Sequence, residues 1–279
     1  MAQALTTAAI EPLRLAQAQR HLHECNLCEH RCAADRLHDE RGPCKAGPVP
    51  RVFRHRVEWS EEEELCPSHI FYLSGCDWRC KFCIAEANAF DPNRGVPLTN
   101  EFLRDAIELG RAKGARNIQW LGGEANIHLP GILAAMAEID DLPPVVWKSN
   151  FHMTPEVFDL LDGVVSVYSA DFKFGNDACA RRFARVENHH HIVTRNLSLA
   201  AERADLIVRH LLMPGHLECC AKPVIDWMAE YLPMTKFSLR DGFLPRWQAN
   251  LVALGRTPAD QEVAAAREYA RTAGLRCIR

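Results

Sequence analysis

The sequence predicts an α/β fold, a partial (β/α)6 TIM-like barrel with an N-terminal cysteine-rich extension. Three observations predict it. From residue 69 onward, short β-branched or aromatic runs alternate with helical patterns, the signature of βα units on a parallel sheet. The 279 residues suffice for one barrel-sized core. The twelve cysteines concentrate in two tight groups, 25–44 and 66–83.

Taken in order, residues 1 to about 20 are rich in Ala, Leu, Gln and Arg and read as helix-forming. They lack a basic start and carry Glu11 and Arg14, so they do not read as a signal peptide. Residues 42–66 turn from Gly/Pro-rich to basic to acidic, and the run Glu61 to Glu64 reads as a solvated loop. The expected strands are 69–74, 117–121, 145–148, 164–170, 205–211 and 236–239. The expected helices are 100–112, 130–139, 155–161, 196–203, 223–231 and 258–272. This divides the chain into a cysteine-rich metal-binding segment (1–66), a barrel (67–250) and a C-terminal helix (251–279).

The formal charge is -3, from 33 Lys+Arg against 36 Asp+Glu. Such balance gives no footprint for nucleic acid, and no apolar run reaches the roughly 18 residues of a membrane span. The expected setting is the reducing cytoplasm, where clustered cysteines read as metal ligands rather than disulfides.

Chemistry in such a fold gathers where the strands end and the βα loops begin. The first strand runs into Cys76, Cys80 and Cys83, spaced C-x3-C-x2-C. Three thiolates can hold three corners of an iron–sulfur cubane, and full protein ligation needs four. The incomplete set therefore implies an iron open to a small molecule; a zinc site with a distant fourth ligand is the alternative. The second strand runs into Gly122-Gly123-Glu124, the third into Ser149-Asn150, the fourth into Asp171 and Lys173, and Arg209 lies late in the fifth.

With these motifs the sequence resembles the radical S-adenosylmethionine (SAM) superfamily, and within it the pyruvate formate-lyase activating-enzyme-like iron–sulfur proteins. The likeness runs from about residue 25 to 248, carried by the cysteine loop, the Gly-Gly-Glu, Asp171-Phe172-Lys173, the stretch 208–220 and the N-terminal CNLCEHRC. It implies an activating-enzyme-like oxidoreductase. A 4Fe–4S cluster on Cys76, Cys80 and Cys83 would cleave SAM reductively to a 5′-deoxyadenosyl radical. Phe82 would pack near the adenine. Gly122 and Gly123 would let the backbone approach the ligand, and Glu124 would face the methionine ammonium. Ser149, Asn150, Asp171, Lys173 and Arg209 would line the rest of the pocket. A reductant such as flavodoxin or ferredoxin is the implied partner. The radical's target is a glycyl-radical enzyme, or else another peptide or small molecule. The rival of a different class is a non-catalytic iron–sulfur or zinc binding protein. The chain departs from the activators at Ile84-Ala85, where they carry Gln-Asn. It departs also at Lys148-Ser149, where an Asp-Thr pair helps hold a monovalent cation.

Cys25, Cys28, Cys32 and Cys44 supply four thiolates, enough for structural zinc or a second 4Fe–4S cluster; His21 and His23 could replace one ligand. Other residues read as ordinary. His189 to His191 fit a solvated loop, and His210 a packed histidine. Cys66, Cys179 and Cys277 fit buried or half-buried thiols. Cys219 and Cys220 are adjacent, too close for both to ligate a metal independently.

Overall fold

The computed structural model of the protein describes residues 10–59 and 62–278. Glu61, and the first nine residues of the expected N-terminal helix, lie outside them.

The chain opens with α1 (Pro12–Arg20), started by a proline in its first turn, where a missing N–H costs nothing. It then enters β1 (Arg51–Glu58) and β2 (Ser68–Leu73). The short α2 (Glu86–Ala89) and β3 (Val96–Pro97) lead to α3 (Asn100–Ala112), whose N-cap Thr99 accepts the Phe102 N–H at 3.1 Å. Next come β4 (Asn117–Gly122), α4 (Leu129–Ala137), β5 (Val145–Ser149) and α5 (Pro155–Leu161). They are followed by β6 (Val167–Asp171), α6 (Asp177–Ala184), α7 (His189–Ala201) and β7 (Asp205–Leu211). The chain closes with α8 (Lys222–Tyr231), β8 (Lys236–Arg240), α9 (Asp260–Thr272) and β9 (Arg276–Cys277).

Among the described residues the strands form one sheet in the order β3-β1-β2-β4-β5-β6-β7-β8-β9. From β2 to β9 every pairing is parallel, as the expected βα alternation requires. β1 runs antiparallel to β2. It lies in the basic part of 42–66, where no strand is expected, so segment 1–66 contributes a strand to the barrel sheet. Residues two apart share a face, and cross-strand partners sort the faces. Trp147, Tyr168, Val208 and Phe237 point outward into the main core under the helices. Lys148, Asp171, Arg209 and Arg240 point inward.

The acidic run is solvated only in part: Glu63 and Glu64 are exposed in a turn, as expected, but Glu62 is not. Glu62 is fully buried, and its carboxylate accepts hydrogen bonds from Arg209 Nε at 2.7 Å and Ser238 Oγ at 2.9 Å. Arg240 stands 3.6 Å away. Leu65 packs on Val146, Val167 and Ile207. The β1–β2 connection thus enters the barrel from its N-terminal end and plugs it, because inward cations in a low-dielectric interior need a buried counter-charge.

The triple histidine, expected as a solvated loop near a helix start, is at a helix start with His191 exposed, but its first member is not solvated. It begins α7, and His189 is completely buried against the rings of Trp78, Phe172 and Phe174. α6, absent from the expected helices, is capped by Asn176, whose Oδ1 accepts the Cys179 N–H at 2.8 Å. Cys277 is exposed rather than buried.

Candidate active site

Residues 75–83 leave β2 and are held from both sides. Trp78 is buried, Lys81 N–H donates to the Phe183 carbonyl at 2.8 Å, and Gln248 N–H donates to the Lys81 carbonyl at 3.0 Å. Phe82 lies in an aromatic group with Phe174 and Phe243, at 6.2 and 5.5 Å between ring centres.

Cys76, Cys80 and Cys83 are all free thiols on this loop. The Trp78 N–H points at the Cys76 sulfur from 3.4 Å. Burial pushes all three thiols up, Cys80 to about 12, against the opposing pull of the Lys173 ammonium. Groups so desolvated ionise when a metal supplies the positive charge. The trio does not form a single-ion group with all ligand atoms within 4.8 Å. The three pack in or against one apolar cluster with Phe82, and three neighbouring thiols on one loop are a donor set that fits a cubane with one iron left open.

Gly122 and Gly123 end β4. A Cβ at Gly122 would lie 2.0 Å from Leu73 N, and one at Gly123 would lie 1.7 Å from Gly75 O. The requirement for glycine therefore comes first from the chain's own backbone, which brings β4 against the cysteine loop. Glu124 follows, buried, accepting the backbone N–H groups of Asn126 at 3.3 Å and Asn150 at 2.9 Å. Burial, reinforced by the nearby Asp77 carboxylate, raises its pKa to about 8.

Ser149 and Asn150, after β5, are engaged within the protein. Ser149 Oγ accepts from Asn126 Nδ2 and Phe151 N, both at 2.8 Å. Asn150 Nδ2 donates to Asp77 Oδ1 at 2.9 Å. They brace two buried carboxylates, Glu124 and Asp77. Asp77 also takes His152 Nδ1 at 2.8 Å on its other oxygen, and Cys28, Asp77 and His152 together place three ligand-type atoms within 4.8 Å. Burial opposes the Asp77 charge, but these donors hold its pKa below the usual carboxylate range. Asp77→Ala should therefore cost about 1–3 kcal/mol, because it leaves the buried Asn150 and His152 donors without their acceptor. Urea unfolding of both proteins at pH 7 measures it, and a midpoint unchanged at equal slope would refute the bracing role.

Asp171, at the end of β6, pairs with Lys173 and accepts Arg209 NH1 at 3.2 Å. Burial works against its charge, yet Lys173, Arg209 and Lys148 bring the carboxyl down to about 2. Lys173 is desolvated too, and Asp171 and Cys80 keep its ammonium above the ordinary value.

The N-terminal cysteines pack over this same end. Glu29 N–H donates to the His152 carbonyl at 3.0 Å, and His30 Nε2 stands 3.0 Å from the Asp77 carbonyl. Buried Arg36 points one nitrogen at the Cys25 sulfur from 2.9 Å and lies 3.9 Å from that of Cys44. Cys28 and Cys44 are pushed up by burial. The four sulfurs do not form a single-ion group within 4.8 Å. His21 Nδ1 accepts the Asn26 N–H, and His23 lies beside Asp35.

Sequence reasoning missed Asp77, His152, Glu62, Arg240 and Asn126. Only Asp77 carried a signal, a carboxylate directly after the first loop cysteine. His210 is buried as expected, its Nδ1 2.8 Å from the Phe172 carbonyl.

Residues 70–228 match the family model described as the Radical SAM superfamily. The uncharacterized protein MJ0674 of Methanocaldococcus jannaschii is 35% identical over 246 residues, covering 85% of this chain and 71% of that protein. Among solved structures, Streptococcus suis SuiB bound to S-adenosylmethionine is similar with a TM-score of 0.54 at 11% identity, over 70% of this chain and 44% of that one. HydG, a maturase of the [FeFe]-hydrogenase, gives 0.55 at 14% identity over 72% and 48%. A spore photoproduct lyase mutant gives 0.55 at 9% identity over 81% and 79%. These likenesses are of fold, and the chain spans less than half the length of SuiB and HydG.

Proposed function

The chain belongs to the radical SAM superfamily, and from that premise we propose that Cys76, Cys80 and Cys83 hold its 4Fe–4S cluster beside a SAM pocket floored by Glu124. Held by these three thiolates, a cluster would supply the single electron for reductive cleavage of SAM, the source of a 5′-deoxyadenosyl radical able to take hydrogen from a substrate. One observation carries the residue assignment. Three free, desolvated thiols, a buried carboxylate and the Asp171–Lys173–Arg209 group converge where β2, β4, β6 and β7 end.

The residues divide the work. Glu124, held by two backbone N–H groups, receives the methionine ammonium, which returns it to the charged form that burial disfavours. Arg209 and Lys173 keep Asp171 ionised. Lys148 adds positive charge on the inner face of β5, in the place of an ion-binding pair. Asn150 and Ser149 fix Glu124 rather than touch the ligand.

The segment 1–66 holds the second metal, zinc or a 4Fe–4S cluster, on Cys25, Cys28, Cys32 and Cys44. Its position over the Cys76 loop suits electron relay from a reductant such as flavodoxin or ferredoxin. The radical's target is a protein, in the manner of the activating enzymes. The support is apolar rim residues: Ile84 directly after Cys83, and Leu244, Trp247 and Leu251 on a segment tied to Lys81, all four exposed. The test is anaerobic incubation of the iron-reconstituted chain with SAM and dithionite. Formation of 5′-deoxyadenosine is expected; a reconstituted, folded protein that forms none overturns the proposal.

A further inference from the structure

On the far side of the aromatic group that contains Phe82, four donors meet that the proposed reaction does not use. Cys179, His216, Cys219 and Cys220 each offer one ligand atom, all within 4.8 Å of one another. His216 Nδ1 lies 3.0 Å from Cys219 Sγ, 3.8 Å from Cys179 Sγ and 3.9 Å from Cys220 Sγ. Tetrahedral zinc with Zn–S of about 2.3 Å and Zn–N of about 2.0–2.1 Å has edges of roughly 3.5–3.8 Å. The set is thus drawn together at the spacing of one ion, unlike Cys76, Cys80 and Cys83.

The surroundings are built for it. Asn176 accepts the Cys179 N–H through Oδ1 and directs Nδ2 to the Cys179 sulfur at 3.5 Å and the Cys219 carbonyl at 2.5 Å. A Cβ at Gly175 would lie 2.6 Å from the Cys220 carbonyl oxygen, so only glycine lets the loop after β6 approach the loop after β7 this closely. The Phe183 ring sits edge-on to the imidazole at 4.9 Å. Leu217–Ala221 forms a π-helical turn, a rare geometry that recurs at functional sites; it turns both cysteines of the adjacent pair toward one point, against the expectation that adjacency would keep them from ligating together.

We propose that Cys179, His216, Cys219 and Cys220 form a closed Cys3His site for Zn2+, clamping the loop after β6 to the loop after β7. Four protein ligands leave no open position, so the ion is structural. Cys220 packs in the same apolar cluster as Cys76 and Phe82, and the clamp therefore stiffens the wall behind the cysteine loop. The inference does not depend on the radical reaction.

The test is metal analysis of the full, iron-reconstituted chain after zinc loading and desalting, with zinc-edge X-ray absorption on the wild type. Cys219 is exposed, so Cys219→Ser leaves the core intact; His216→Gln is the second variant. Each variant should carry one zinc fewer per chain than wild type at unchanged iron, and the wild-type spectrum should show sulfur and nitrogen shells. Equal zinc in wild type and both variants overturns the proposal. So does a Cys179–Cys219 disulfide in anaerobically prepared protein, or a wild-type spectrum without a nitrogen shell.

Discussion

Alanine at any one of Cys76, Cys80 or Cys83 should reduce 5′-deoxyadenosine formation to the level of a blank without protein. On the proposed assignment each thiolate would hold its own corner of the cluster, and one corner would stay open for SAM. A site with only two protein ligands keeps no spare thiolate. Neighbouring carboxylates do not substitute: Asp77 is committed to His152 and Asn150, and Glu124 to two backbone N–H groups. The variants should stay folded, because the loop is pinned by Trp78 and by backbone bonds from Lys81. The measurement is chromatographic quantitation of 5′-deoxyadenosine under dithionite, with iron content read alongside. Undiminished turnover in any of the three variants would falsify the ligand assignment.

Unfolding stability should fall steeply between pH 6.5 and pH 5. Four histidines are buried in neutral form: desolvation lowers His69, His128 and His210 to about 4 and His189 to about 3. Geometry gives the reason. His128 Nδ1 and His210 Nε2 are buried without a hydrogen-bond partner, so protonation would place an N–H where no acceptor stands. A group with a depressed basic pKa contributes fully above the unfolded value near 6.5. That contribution is lost as pH falls toward the folded value, at about 1.4 kcal/mol per pH unit for each group. Glu124 works in the opposite sense over the same range, because its raised pKa makes the folded state take up a proton first. The net slope is roughly 4 kcal/mol per pH unit. Urea midpoints at pH 7.5, 6.5 and 5.5 measure it, and His189→Phe should remove about a quarter of the histidine part. A flat profile across that range would refute the neutral-histidine account.

The legible part of the fold was the part where burial on both faces leaves a continuous signal. β5 reads VVWKS and is buried throughout, and such strands announce themselves as apolar runs. β1 was missed because it is an edge-side strand whose Arg and His side chains are exposed (Arg54, Arg56) or half exposed (Arg51, His55), so its composition resembles a basic loop. α6 and the start of α7 were missed because Arg, Asn and His dilute the apolar period. At the site, residues consecutive in sequence were readable, since the C-x3-C-x2-C and Gly-Gly-Glu spacings carry their own chemistry. Sets assembled by folding were not. Glu62 reaches Arg209 across 147 positions, and Cys179 reaches His216 across 37. A charge run and a lone cysteine have no local pattern that reveals such partners. The glycines were found for an incomplete reason: backbone packing against Leu73 and Gly75 is a tertiary fact.

The plug from the β1–β2 connection bears on how the protein is made. Synthesis delivers Glu62 early, whereas Ser238, which also bonds its carboxylate, follows 176 residues later. At ribosomal speeds of about 5–20 residues per second, the nascent chain spends roughly ten seconds or more with a carboxylate whose partners do not yet exist. Closing so long a loop costs entropy before any contact repays it. β7 and β8 therefore act as a latch, and the barrel becomes a cooperative unit only once both have left the ribosome.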